Sequence, residues 1–354
     1  MDPLAIALVG CGGAGLNHGK QIAASPLWRL AAVCDVRHDA AQAAAAQLGG
    51  VPAYTDFDRM LDTETLDAVS IITPGHVHVP QAVTAAARGL HVLSEKPLGV
   101  TVAECQRAVD ACRTAGVLLG VTYTYRFIPD FRIMRQPIDS GEIGHVREVR
   151  WLNYGGPPPA ANPTPPPPKP EHHQLAHITH LFDCGVHAFD LMRWFVGDPM
   201  IAVQAHATAD GPGWEPTSTT LVFTYAGGQR GIYDRGSMTA LPGSDGGQPA
   251  ISFLVSGTRG SMTWDFKSGW GPRAPHTRIC IHSADGTRVH EVPVYSKCRD
   301  VQYAEFAQAI RAGALPSHWP TPDQAIDATR MALEAVDAVN RNTVFLTNHP
   351  RGNA

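Results

Sequence analysis

A chain of 354 residues exceeds what one ordinary hydrophobic core supports and points to two domains. With 44% hydrophobic and 17% charged residues it is globular rather than disordered, and a net charge of −4 offers no broad basic field for nucleic acid. No run reaches the roughly 18 apolar residues of a membrane span, and the chain opens directly on a strand pattern, so neither a transmembrane helix nor a signal peptide is expected.

Over residues 1–122, short apolar runs alternate with helical stretches. Leu4–Val9, Leu30–Cys34, Ala68–Ile72, Leu90–Leu93 and Val117–Val121 read as buried strands, and His38–Leu48, Val79–Arg88 and Val102–Ala115 as alanine-rich helices. Continuous apolar strands separated by helices predict a doubly wound parallel sheet covered on both faces. From Tyr123 the rhythm changes. One helix over Ile178–Phe195 precedes seven strand candidates: Ile201–Ala207, Thr219–Tyr225, Gln229–Arg235, Ile251–Ser256, Ser261–Phe266, Arg278–His282 and Arg288–Val294. With no crossover helices between them, a large, mostly antiparallel sheet is expected in a second α/β domain over 123–354. Helices near Val301–Ala312 and Pro322–Val339 close the chain. A proline-rich loop over 155–172, with nine prolines between Pro157 and Pro170, excludes helix and central strand. It reads either as a surface excursion or as a lid or subunit-contact arm.

The chemistry-bearing motif of the first half is Gly10-Cys11-Gly12-Gly13-Ala14-Gly15, directly after the first strand and before a helical stretch. Gly10 permits the tight turn, Gly12 a close approach of backbone to a pyrophosphate, and Gly15 close helix–strand packing, with the helix N-terminus facing the phosphates. Asp35 ends the second strand, where a carboxylate meets the adenosine ribose hydroxyls. It favours NAD over NADP, although Arg37 could offset the extra phosphate. Thr73, Pro74 and His76 follow the third of these strands, and Glu95 and Lys96 the next, all on the carboxyl edge where doubly wound folds bind ligands. The seven cysteines are scattered without a CxxC pair, which suits reduced thiols in the cytoplasm.

Together with Glu95-Lys96-Pro97-Leu98, Tyr125-Arg126-Phe127 and Asp183-x-Gly185-x-His187-x-x-Asp190, these motifs make the chain similar to the Gfo/Idh/MocA oxidoreductase family. The resemblance implies an N-terminal Rossmann domain over 1–122, and a C-terminal substrate-binding domain whose large sheet forms the interface of a homodimer or homotetramer. It also implies sugar, cyclitol or other polyol substrates, and no metal. Three departures stand out: Ile178–Phe182 in place of a glycine run, Gly75 where histidine or asparagine is common, and the proline-rich insertion.

Oxidising a secondary alcohol requires a base for the hydroxyl proton, and histidine titrates nearest neutrality. His187 lies four residues after Asp183, so on a helix the two share a face. The resemblance makes His187 the base, Asp183 its orienter or a substrate ligand, and Lys96 the cation beside the reacting oxygen. Tyr123, Tyr125 and Arg126 are further candidates for the substrate side, Arg126 equally for a structural role, and Asp190 for a structural one. His172, His173, His177, His180 and His187 have spacings that would suit a metal, or polar lining and surface. The Lys96–Pro97 bond is expected to be cis. Two other readings remain: a redox-neutral enzyme that retains NAD and oxidises a sugar carbon transiently, and a non-enzymatic cofactor-binding regulator.

Overall fold

A sheet buried on both faces has little room for polar residues, and the first strands obey this: Ala5–Val9 and Ala68–Ile71 are buried throughout. The computed structural model describes residues 2–154, 180–209, 216, 218–236, 250–266, 276–294 and 298–345. It divides into two compact units, Met1–Phe127 with Lys297–Thr329, and Ile128–Ser296 with Arg330–Ala354. The proline-rich loop and His172–His177 lie outside the described residues.

In the first unit, β1 (Leu4–Val9), β2 (Trp28–Cys34), β3 (Ala53–Tyr54), β4 (Ala68–Ile71), β5 (His91–Ser94) and β6 (Leu119–Val121) form a sheet in the order β3-β2-β1-β4-β5-β6. Every pairing is parallel. Helices α1 (Gly13–Ala24), α2 (His38–Gln47), α3 (Phe57–Thr63), α4 (Gly75–Ala87) and α5 (Val102–Ala115) connect the strands. The strand order reverses direction at β1/β4, so right-handed crossovers put α1 and α2 on one face and α4 and α5 on the other. This is the doubly wound Rossmann arrangement, with its ligand edge at the switch point between β1 and β4. Local signals set the helix ends. Thr101 caps α5 by accepting the Glu104 N–H at 3.1 Å, and Gly116, at φ +69°, ends it in the left-handed region.

The second unit begins with α6 (Pro129–Asp139) and β7 (Val146–Tyr154), continues through α7 (Val186–Val196), and then builds β8 (Met200–Ala209), β9 (Ser218–Tyr225), β10 (Arg230–Gly236), β11 (Ala250–Gly257), β12 (Ser261–Phe266), β13 (His276–Ser283) and β14 (Gly286–Pro293). After β14 the chain rejoins the first unit as α8 (Arg299–Ala312), then runs through α9 (Pro322–Asn342) to β15 (Thr343–Phe345). The sheet is nine-stranded, in the order β14-β13-β12-β11-β7-β10-β9-β8-β15. Six of its pairings are antiparallel; β7–β10 and β8–β15 are parallel. Alternation puts Val149, Trp151, Phe223, Tyr233, Phe253 and Trp264 on the buried face. There Phe131 of α6 meets Trp264, Phe253 and Phe195 with ring centroids 4.9–6.5 Å apart. Asp130 is buried beneath this cluster and accepts hydrogen bonds from Trp264 Nε1 at 2.9 Å and from the Thr277 hydroxyl.

Neither α6 nor β7 is expected from the sequence pattern. Buried residues of β7 fall at Val146, Val149 and Trp151, because the register against β11 shifts at Ser256/Gly257. A bulge of this kind breaks the period of two that marks a strand. The helix expected over Ile178–Phe195 is also different in kind: His180–Gly185 form a π-helical turn, and α-helix starts only at Val186.

Candidate functional site

The carboxyl edge of the first sheet is assembled mostly from main-chain groups. Gly10 sits at φ +94°, a region that excludes most side chains, and a Cβ there would lie 2.5 Å from the Ile72 carbonyl oxygen. At Gly15 a Cβ would lie 1.9 Å from the Gly10 carbonyl oxygen, so α1 packs directly on the turn that precedes it. Gly12 and Gly13 are the opposite: a Cβ at either meets nothing within 4 Å, and both residues are exposed together with Ala14. No side chain caps α1, whose first N–H groups face this open space. Glycines thus serve packing at positions 10 and 15 and clearance at positions 12 and 13, which fits a pyrophosphate laid over the helix N-terminus.

Asp35, just past β2, accepts the Cys11 N–H at 2.8 Å through one carboxylate oxygen and the Arg37 N–H at 2.9 Å through the other. The Arg37 guanidinium, 3.9 Å from Asp35, is mostly exposed. The Cys11 side chain is buried, and burial, with Asp35 and Cys34 nearby, pushes its thiol up to about 12. Its part at this edge is its backbone amide. Val36, between the two charged residues, is 88% exposed, an unusual position for a branched apolar side chain.

Two more segments complete the edge. Thr73 and Pro74 leave β4 against Gly10 and lead into α4, and the Thr73 hydroxyl donates to Gln81 Oε1 at 2.7 Å. His76 is half-buried in the first turn of α4. Beyond β5, Glu95 Oε2 accepts the Lys96 N–H at 3.1 Å, Lys96 is half-buried, and the Lys96–Pro97 bond is cis, as expected. Glu95 also reaches inward, with Oε1 3.1 Å from His18 Nε2. His18 is fully buried on α1; its Nδ1 lies 2.9 Å from the Tyr303 hydroxyl, which lies 2.7 Å from Ser70 Oγ, while Arg299 Nε donates to Nε2 at 2.8 Å. His18, Ser70, Arg299 and Tyr303 belong to none of the sequence motifs. The only signal was a histidine three residues past Gly15.

Tyr123 and Arg126 are fully buried in the first unit. The Tyr123 hydroxyl donates to the Ala325 carbonyl at 3.5 Å, and Arg126 donates to Gln324 Oε1 at 2.9 Å. Tyr125 is half-buried. In the second unit, Asp183 lies in the π turn and His187, half-buried, in the first turn of α7, with Asp190 fully buried one turn on. Short π segments inside helices occur often at functional sites. Among the described residues no group of three histidine, cysteine or acidic side chains is arranged to hold a metal, and no helix is long and apolar enough to cross a membrane.

Residues 4–123 match the oxidoreductase family, NAD-binding Rossmann fold, and residues 131–263 match the GFO/IDH/MocA C-terminal domain. The chain is 28% identical over 350 residues to the rhizopine catabolism protein MocA of Rhizobium meliloti, covering 97% of each. It is 27% identical to scyllo-inositol 2-dehydrogenase (NAD(+)) of Bacillus subtilis, covering 88% of this chain and 87% of that one. In fold it is similar to levoglucosan dehydrogenase in complex with NADH, with a TM-score of 0.76 at 21% identity, covering 96% and 98% of the two chains. An oxidoreductase from Agrobacterium radiobacter, in complex with NAD+, L-tartaric acid and magnesium, gives 0.77 at 18% identity, covering 95% and 96%. With a glycine turn cleared for a pyrophosphate in one unit and the large sheet in the other, and with both domain matches falling in chain order, the protein belongs to the Gfo/Idh/MocA family of NAD-binding oxidoreductases.

Proposed function

We propose that the protein is an NAD-dependent dehydrogenase acting on a secondary alcohol carbon of a sugar or cyclitol, with Lys96, Asp183 and His187 as its catalytic residues. The observation that carries this reading is the position of Lys96 on the same sheet edge as the cleared glycine turn, one strand beyond the Thr73 segment that packs on Gly10. Relatives named for inositol, D-glucoside and levoglucosan oxidation support the substrate class.

Gly10, Cys11, Gly12, Gly13, Ala14 and Gly15 would hold the pyrophosphate and Asp35 the adenosine ribose, with Arg37 beside it. Thr73, Pro74, His76, Glu95 and Lys96 would border the nicotinamide side. When bound, NAD supplies the acceptor for the hydride leaving the alcohol carbon. His187 takes the hydroxyl proton, Asp183 orients the imidazole or binds a neighbouring hydroxyl, and the Lys96 ammonium stabilises the charge that grows on the oxygen. Tyr125, half-buried where Tyr123 and Arg126 are closed off, is the one of these three best suited to line the sugar.

The open face of the large sheet carries half-buried Leu152, Val222, Ile232 and Leu254, which supports a homo-oligomer formed through that face. Seven free thiols, five of them buried, suit a reducing cytoplasm. The deciding experiment incubates purified protein and NAD+ with scyllo-inositol, myo-inositol, methyl glucosides and levoglucosan while NADH absorbance is followed. Turnover of at least one is expected; none, with NADH binding intact, would reject the substrate class.

A further inference from the structure

A buried histidine that the motifs do not include joins the two segments on which the proposed chemistry depends. His78, in the second turn of α4, is 1% exposed. Its Nε2 lies 2.6 Å from the Thr73 carbonyl oxygen and its Nδ1 lies 2.8 Å from the Pro97 carbonyl oxygen. Thr73 follows Ile72, whose carbonyl presses on Gly10; Pro97 follows Lys96 directly. Gly75 of the same helix lies alongside the lysine turn: a Cβ added there would sit 3.5 Å from Pro97 Cγ, an ordinary van der Waals distance. On the other side of Lys96, Glu95 accepts the Lys96 N–H and reaches His18 of α1. Because α1 and α4 cover opposite faces of the sheet, Lys96 is bracketed by buried imidazoles from both.

We propose that His78 is a positioning residue: it couples the cofactor edge to the lysine turn, setting the Thr73 segment over Gly10 through one carbonyl and the projection of Lys96 through the other. The inference rests on the reading of Lys96 as the cation beside the reacting oxygen. His78 itself touches no reacting atom. Carbonyl oxygens only accept, so each contact needs a ring N–H; the imidazolium donates to both at once, the neutral ring to one at a time. Because the contacts use different ring nitrogens, they can be separated chemically. A glutamine amide nitrogen takes the place of Nε2 and keeps the Thr73 contact, whereas an asparagine amide nitrogen takes the place of Nδ1 and keeps the Pro97 contact.

The test uses the full-length protein with His78→Gln, His78→Asn and Lys96→Ala. NADH affinity is read by fluorescence titration without substrate. The acylation rate of the Lys96 amine by acetic anhydride is read by mass spectrometry without cofactor. His78→Gln is expected to bind NADH as wild type does but to label Lys96 at an altered rate; His78→Asn should label normally and bind NADH several-fold more weakly. On a substrate from the panel, His78→Gln should lose kcat on the order of 10²-fold, the scale of a ~1 Å misplacement, with KM for NAD unchanged. A purely structural histidine would shift both readouts together, or neither, and that result overturns the proposal. If a variant does not fold, the ring 15N signals of wild-type protein decide: NADH addition should shift those of His78, and an unmoved ring overturns the proposal equally. Should Lys96→Ala retain turnover while the crossed pattern holds, the catalytic reading of Lys96 fails and the coupling stands. Should Lys96→Ala be inactive and both His78 variants behave as wild type, the coupling fails alone.

Discussion

Glycines 12 and 15 stand three residues apart in one motif, yet the structure gives them opposite expectations. Gly12 adopts φ −65° and ψ −175°, which alanine adopts freely, and a Cβ there meets nothing within 4 Å. Gly12→Ala should therefore stabilise the cofactor-free protein by about 0.4–1 kcal/mol, because alanine narrows the unfolded ensemble without straining the fold. The same methyl occupies the space proposed for the pyrophosphate, so NADH affinity should fall, each tenfold loss corresponding to about 1.4 kcal/mol. At Gly15 the new Cβ would stand 1.9 Å from the Gly10 carbonyl oxygen, and the obstacle is backbone rather than a mobile side-chain tip. Relief requires α1 to move off β1 by more than 1 Å, at the ~1–3 kcal/mol typical of overpacking or above it. At roughly 2–4 °C per kcal/mol for a domain of this size, Gly15→Ala should melt several degrees lower. Differential scanning fluorimetry with and without NADH measures both effects. The reasoning is refuted if Gly12→Ala binds NADH as wild type does, or if Gly15→Ala melts with it.

Four further outcomes are expected. NADH should bind more tightly than NADPH, because the Asp35 carboxylate, held by the Cys11 and Arg37 amides, would face a 2′-phosphate; Asp35→Asn should narrow the ratio in paired titrations. Lys96→Ala and His187→Ala should each cut kcat by about 10²–10⁴-fold, the usual worth of a positioned acid–base group, with NADH affinity kept; near-normal turnover of either would remove it from the mechanism. Acidification should destabilise the fold. Burial lowers the pKa of His91, whose Nδ1 must stay unprotonated to accept the Leu118 N–H at 2.9 Å. The unfolded chain binds more protons below a pKa of about 6.5, so this stability is present above that pH and lost as pH falls through the folded value. Urea melts at pH ~7.5 and ~5.5 read the slope, and His91→Asn, whose amide oxygen can accept the same N–H, should flatten it. Asp130→Ala should leave the buried Trp264 N–H without its acceptor and cost about 1–3 kcal/mol in the same assay.

How much of this was legible in the sequence differs from element to element, for physical reasons. Strands such as Leu4–Val9 and Ser261–Phe266 were readable to the residue, because burial on both faces, or strict alternation, writes itself into local composition. Strand β7 was not, since its bulge displaces one apolar residue, and α6 was not, since Pro137 sits in its last turn. Nor did periodicity reveal that α8 packs with the first sheet. That contact includes Trp28 Nε1 donating to the Tyr303 carbonyl at 2.8 Å, 275 positions away in the chain, and Phe306 stacked on Trp28. The same division holds at the site. The glycines, Asp35 and Lys96 belong to motifs with fixed spacing, whereas His18 and His78 are single histidines on amphipathic helices, where solvent, core and function leave the same letter.

Three neighbouring strands, β1, β4 and β5, deliver the turns of this edge, and main-chain atoms carry most of the joints between them. The Ile72 N–H donates to Val9 at 2.7 Å and the Glu95 N–H to Ile71 at 2.8 Å, extending the ladder one step past the strands. The Gly10 and Ile72 carbonyls then set the approach of α1 and of the glycine turn, and the Thr73 and Pro97 carbonyls meet His78. A lysine displayed this way owes its position relative to the glycine turn to the spacing of adjacent parallel strands, about 4.8 Å each. Side chains elsewhere in the unit can then change without moving it. The expected sensitivity is therefore concentrated where a side chain replaces a main-chain joint, at His78 and at Glu95 with His18, rather than along the strands that carry the edge.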